Sequence, residues 1–225
     1  MSSPIRPGST PFRLTPRLYF AYGSNLSTAQ MRQRCPESEP LALVHLADHE
    51  WRINERGYAN IMPISPSSPP ASPSPAPRQL PSLSSSPPSA PSPAPPHNAN
   101  KENQIGVYGL LYDLTAADER SLDMAEGVPW AYRREFVDVT VVRVPAGREH
   151  LPPIRRARVE ALADGGWRPG VVLRNVLTYV GGSGRGAPLP EYVQRMNEGI
   201  KETVEEWGMP GEYVRKVLRR DIPEV

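Results

Sequence analysis

Two places in the sequence hold residue types that could do chemistry together. In the first, Tyr19, Phe20, Ala21 and Tyr22 make a short β-prone run that meets Gly23, Ser24 and Asn25, a cluster typical of turns, followed by Leu26 and a helix-forming stretch over 27–34. Ser27 with Gln30 three residues later has the spacing of a capping box, so the reading is strand, glycine turn, helix start. Such a junction leaves several backbone N–H groups unpaired, and they suit an anionic group held above the turn. The second place is Glu126, a lone carboxylate with Leu122, Met124, Ala125, Val128 and Trp130 for neighbours. Apolar company disfavours an ionised carboxyl group and moves its pKa towards the range useful for proton transfer at neutral pH. On spacing alone, however, an exposed glutamate at a helix end is the stronger account of Glu126.

Other constellations carry less. His45 and His49 would suit two metal ligands if they lay on a helix, but their segment reads extended and offers only Asp48 or Glu50 as a third ligand. Ser24 lacks the glycine that a nucleophile elbow needs two residues on, since Leu26 stands there. The four histidines, at 45, 49, 97 and 150, assemble no persuasive triad. Gly182, Gly184 and Gly186 give the spacing of a dinucleotide fingerprint, yet Pro188 and Pro190 follow, no βαβ unit surrounds them, and there is no lysine for a phosphate loop, so the reading is a flexible loop. Arg155, Arg156 and Arg158 are three charges in a strand-like segment, too few to indicate nucleic acid. Acid and base work therefore falls to carboxylates.

The elements that must place these residues are mostly strands. Segments 41–46, 50–54, 57–62, 105–113, 134–144, 157–163 and 171–180 read as extended, with Gly106 and Gly109 marking bends or close backbone approach. A helix opens at Thr115 and ends at Gly127 and Pro129, with Leu122 and Met124 on its apolar face. In the tail, Tyr192, Met196, Ile200, Val204 and Trp207 recur every three or four residues between Pro190 and Gly208, which predicts one helix; a shorter one follows with Tyr213, Val214, Val217 and Leu218 inside. The fold class is α/β or α+β: strands in a small mixed barrel, flanked by helices.

Residues 63–96 contain 14 of the 29 prolines together with 11 serines and a single charge, Arg78. Such sequence lacks the apolar area to offset the entropy of ordering, so it predicts a long disordered insertion, placed at 63–100, within a single domain over 18–225. Residues 1–17, with four prolines and no acid, read as a disordered tail rather than a transit peptide. The net charge of +2 among 225 residues demands no polyanionic partner, and the single cysteine, Cys35, excludes an internal disulfide. No apolar run approaches the roughly 20 residues that span a bilayer. The expectation is a cytoplasmic protein without membrane or nucleic-acid partners, with a homodimer left open.

At the two chemical segments the sequence resembles the γ-glutamylcyclotransferase family. Residues 19–26 (Tyr-Phe-Ala-Tyr-Gly-Ser-Asn-Leu) are similar to its substrate-binding loop, and residues 106–112 and 121–128 resemble the strand and helix that end in its catalytic glutamate, which falls on Glu126. Tyr192 matches a substrate-contacting tyrosine. The resemblance implies a small β-barrel, no cofactor, no metal, and conversion of a γ-glutamyl amino acid or peptide into 5-oxoproline and a free amino acid by attack of the substrate's own α-amine. Tyr19, Phe20, Ala21, Tyr22, Gly23, Ser24, Asn25, Leu26 and Tyr192 would bind substrate and Glu126 would move the protons. Pro129, Trp130 and Ala131 depart from the family pattern, so Trp130 and the loop 181–188 are expected to influence specificity. Two rivals stay open: action on γ-glutamylamines, on glutathione or on a γ-glutamyl intermediate of secondary metabolism; and a non-catalytic role binding a small metabolite, or a partner through the proline-serine tract.

Overall fold

A computed structural model of the chain describes residues 17–64, 106–146 and 168–225. The predicted tail before Arg17, the bulk of the insertion, the strand at 157–163 and the arginines at 155, 156 and 158 lie outside the described residues. Seven strands and four helices are present among those described: β1 (Arg17–Ala21), α1 (Thr28–Arg34), β2 (Glu39–Leu46), β3 (His49–Ile53), β4 (Ala59–Pro63), β5 (Val107–Leu114), α2 (Ala116–Glu126), β6 (Tyr132–Arg143), β7 (Val172–Gly181), α3 (Pro190–Glu202) and α4 (Gly211–Lys216). Arg17 and Pro63, expected just outside the folded chain, are end residues of strands.

Five strands close into a barrel in the order β1-β5-β2-β6-β7, with β7 returning to β1 in parallel through Tyr19 and Leu177. β1, β2 and β5 are buried on both faces, which is why they read as nearly continuous apolar runs; β6 has one face open and alternates. β3 and β4 pair separately, and the Trp51 indole N–H donates to the Tyr22 carbonyl at 3.0 Å, tying this ribbon to the end of β1. His45 packs its ring on Tyr108 at 4.6 Å. The Cys35 thiol lies in the core against the Asp118 carbonyl, and burial pushes its pKa up to about 12, so it is a packing residue and stays protonated.

Gly109 fulfils the expected close approach. A Cβ there would stand 2.2 Å from the Ala21 carbonyl oxygen and 2.6 Å from the Phe20 ring. Backbone atoms cannot retreat without parting β1 from β5, so Gly109→Ala should cost about 1–3 kcal/mol, as overpacked cores do. Thermal unfolding of the variant will show the lowered midpoint; an unchanged midpoint contradicts this packing.

The tail differs from the predicted single helix. α3 runs to Glu202 and passes into a π turn, Thr203–Trp207, closed by Gly208 at φ +73°. Thr203 bonds back to the Gly199 and Ile200 carbonyls at 2.7 and 3.0 Å. The wider turn rotates the apolar stripe, so Val204, expected inside, is 40% exposed while Trp207 remains buried. Met124 departs similarly: α2 buries Leu122 but leaves Met124 78% exposed.

Candidate active site

The turn after β1 and the end of α2 meet over a cavity of about 220 Å³ at one end of the barrel. Tyr19, Tyr22, Gly23, Ser24, Asn25, Tyr192 and Glu126 all line it. Phe20, Ala21 and Leu26 do not reach it; they are fully buried, Phe20 and Ala21 against Gly109 of β5 and Leu26 under α3. These three support the turn from beneath. The cavity also takes in Arg34, Arg56, Tyr58, Tyr132, Tyr179 and Arg195, which sequence reading did not single out. Only Arg34 left a signal, four residues after Gln30 and so on the same face of α1.

Asn25 is the hub of the site. Its amide oxygen accepts from Gln30 Nε2 at 2.9 Å and Arg34 Nη1 at 3.0 Å, and its Nδ2 donates to the Tyr19 hydroxyl at 3.0 Å and, at the longer distance of 3.4 Å, to Glu126 Oε1. The capping box is thus half formed. Ser27 accepts from the Gln30 N–H, but the Gln30 side chain turns to Ser24 and Asn25 instead of closing the box. The N-terminus of α1 is not an open anion site either, since the Glu202 carboxylate takes the Thr28 N–H at 3.0 and 3.2 Å. Nor is the Ser24 N–H free: it donates to the Tyr192 hydroxyl at 3.2 Å. The N–H groups of Gly23 and Asn25 donate to none of the described residues and remain for a ligand.

Glu126 is the last residue of α2, with Gly127 beyond it at φ +65° ending the helix. Its side chain keeps 16% exposure, and Oε1 faces both Asn25 Nδ2 and Arg34 Nη1, the latter at 3.3 Å. Oε2 accepts no hydrogen bond from the described residues. Burial raises the Glu126 pKa, and Arg34, Asn25, Arg195 and Arg56 oppose that rise in descending order. The negative end of α2 also disfavours ionisation. Of the apolar neighbours from which the sequence anticipated a raised pKa, Leu122, Met124, Ala125, Val128 and Trp130, Ala125 lines the cavity and Leu122 is buried, whereas Met124 is exposed and Trp130, at 94% exposure, lies off the cavity; the barrel end and its tyrosines supply the rest of the burial. Those tyrosines, Tyr19, Tyr22, Tyr132, Tyr179 and Tyr192, have pKa values pushed up chiefly by burial and stay neutral. Among these lining groups Glu126 is the carboxylate, and burial raises its pKa from the ordinary carboxylate range.

Arg34→Met should raise the Glu126 pKa further, since it removes the largest opposing influence. A carbon-detected NMR titration of the Glu126 carboxyl would show its midpoint at higher pH in the variant. An unmoved midpoint would mean that Arg34 is screened from it.

α2 is held from outside. Asp123 is gripped by Arg134 and accepts from the Tyr179 hydroxyl at 2.8 Å, and Glu119 pairs with Arg17 at 3.1 Å and Arg134 at 2.9 Å. The glycine loop 181–188 is fastened as well: the Ser183 carbonyl accepts from Arg52 and that of Gly182 from Asn60, both at 2.8 Å. Its glycines permit close packing on Asn54 and Glu55, and it does not line the cavity, so neither it nor Trp130 is placed to touch a ligand there.

No protein-family model and no curated protein matches the chain. Solved structures do. A γ-glutamyl cyclotransferase superposes with a TM-score of 0.51 at 20% identity, covering 89% of this chain and 85% of its own. The human protein titled uncharacterized protein loc79017 gives 0.52 at 20% identity with the same coverage. YkqA from Bacillus subtilis gives 0.52 at 18% identity, covering 93% of this chain and 55% of its own. The chain has the γ-glutamyl cyclotransferase-like fold. Among the described residues no helix is long and apolar enough to cross a membrane.

Proposed function

We propose that the protein is a γ-glutamylcyclotransferase, which releases 5-oxoproline and an amine or amino acid from a γ-glutamyl compound. The observation that carries the reading is Glu126: a carboxylate of raised pKa, fixed through Oε1 by Asn25 and Arg34, with Oε2 free in a cavity that also receives the Gly23 and Asn25 N–H groups.

Glu126 Oε2 takes a proton from the substrate's α-ammonium. The freed amine attacks the γ-carbonyl carbon, forming the ring C–N bond and a tetrahedral oxyanion, which the Gly23 and Asn25 N–H groups are suited to stabilise. As the intermediate collapses, the original amide C–N bond breaks and Glu126 returns the proton to the leaving nitrogen; the ring nitrogen then gives its second proton to Glu126, which passes it to the departing amine as that leaves as an ammonium. Water is not consumed. Because the nucleophile is part of the substrate, holding the glutamyl chain folded supplies much of the rate, with effective molarities on the order of 10⁵ M for well-placed ring closures. The test is incubation with γ-glutamyl dipeptides, γ-glutamylamines and glutathione, following 5-oxoproline by mass spectrometry. Release from at least one substrate is expected; silence across all of them would leave a binding role in its place.

A further inference from the structure

We propose that Arg56 and Arg195 form a second anion subsite in the Glu126 cavity that recognises a free carboxylate on the leaving group. The substrate is then a γ-glutamyl amino acid or peptide rather than a γ-glutamylamine. This assignment rests on the cyclotransferase reading and concerns the half of the substrate that the reading leaves open.

The charges do not balance within the cavity. Its walls carry three arginines, Arg34, Arg56 and Arg195, against one acid, Glu126. Arg34 is occupied by Glu126 and Asn25. The Arg56 guanidinium makes no ion pair and no side-chain hydrogen bond with the described residues. Arg195 makes one ion pair with the described residues, to Glu191 at 3.9 Å, itself 57% exposed, and both arginines act on Glu126 without pairing with it. Two cations thus face the cavity with their N–H donors largely unspent.

Both are nonetheless held in place. Arg56 lies over Tyr58 and Tyr132 at 5.7 and 6.0 Å from the ring centroids, and Arg195 over Tyr58 and Tyr192 at 5.9 and 5.2 Å. Tyr58 is common to the two, so they flank one ring. An aromatic face restrains a guanidinium through its π cloud and leaves the N–H edge free, the edge that binds a carboxylate through two parallel hydrogen bonds. The backbone beneath Arg56 is fixed too, its N–H donating to Asn54 Oδ1 at 2.9 Å. On the other side, the Tyr192 hydroxyl that accepts from Ser24 belongs to the ring that carries Arg195, which places this cation next to the turn.

The ligand's charge decides between the substrate classes. A simple γ-glutamylalkylamine carries one ammonium and one carboxylate and is neutral overall. A γ-glutamyl amino acid adds a carboxylate on the leaving side, where a site with two unspent cations gains from it.

γ-Glutamyl-L-alanine and γ-glutamylethylamide differ only by that carboxylate, so their kcat/KM ratio isolates it. The wild-type protein should favour the alanine compound by about 10- to 100-fold, the scale of charge-assisted hydrogen bonds. Arg56→Met with Arg195→Met should bring the ratio close to one, mainly through KM for γ-glutamylalanine, and the lysine pair should retain part of it. A wild-type ratio near one, or a ratio the methionine pair leaves unchanged, overturns the subsite. If neither compound yields 5-oxoproline, the wider substrate panel decides the cyclotransferase reading separately, and calorimetric binding of both compounds decides the subsite. Tighter binding of the alanine compound that depends on the two arginines supports it; equal or absent binding overturns it.

Discussion

Glu126→Gln is expected to lower kcat for 5-oxoproline release by about 10³-fold or more while leaving substrate affinity within a few-fold of wild type. General acid–base catalysis is commonly worth about 10²–10⁴-fold, and here one group serves both proton transfers, so its loss falls at the upper end. The substitution preserves shape and can keep the contacts made to Oε1, because an amide oxygen still accepts from Asn25 and Arg34, 3.4 and 3.3 Å away in the wild type. Arg34 keeps its bond to Asn25 Oδ1 at 3.0 Å, so the variant should fold. Binding should survive because the residues expected to bind substrate, in the turn and at Tyr192, are untouched by the change. Steady-state kinetics beside calorimetry would separate the two effects. A variant with more than a tenth of the wild-type kcat would remove Glu126 from the proton transfers.

The barrel was legible in the sequence because its strands are buried in continuous runs and bounded by turn residues. The strand before Gly23, the helix ending at Gly127 and the close approach at Gly109 all follow from local chemistry. The site was only half legible. Gly23, Asn25 and Glu126 stood out through motif resemblance, whereas Arg56 and Arg195 come from a turn between two strands and from the middle of a helix, and only the tertiary fold puts both over Tyr58. Residues such as Trp130 drew attention by type and proved exposed, since a sequence shows neighbours along the chain and burial is decided by neighbours across it. The raised Glu126 pKa was anticipated from burial, but two of the neighbours named for it, Met124 and Trp130, prove exposed for the same reason. The π turn after Glu202 was invisible because periodicity at three or four residues does not register one residue added to a single turn.

The same distinction sets the effect of altering Gly23. Its φ of −111° lies outside the left-handed region, so a positive φ is not the reason for a glycine here. Space is: a Cβ at this position would lie 2.8 Å from the Tyr192 hydroxyl and 3.2 Å from the Ala59 Cβ. Tyr192 is buried and cannot swing aside, and its hydroxyl holds the Ser24 N–H. Gly23→Ala should therefore displace the turn by a few tenths of an ångström or break that hydrogen bond, and misplace the donors at Gly23 and Asn25. Catalysis is sensitive to errors of this size; losing one oxyanion donor costs about 10²–10³-fold in comparable sites. We expect kcat/KM to fall by about 10²-fold in Gly23→Ala. Tyr192→Phe removes the colliding oxygen at the cost of one hydrogen bond, so the double variant Gly23→Ala/Tyr192→Phe should recover activity relative to Gly23→Ala alone, a non-additive result that a double-mutant cycle measures directly. If the two losses simply multiply, the collision with Tyr192 is not what the glycine avoids, and the packing against Ala59 on β4, at 3.2 Å, becomes the constraint.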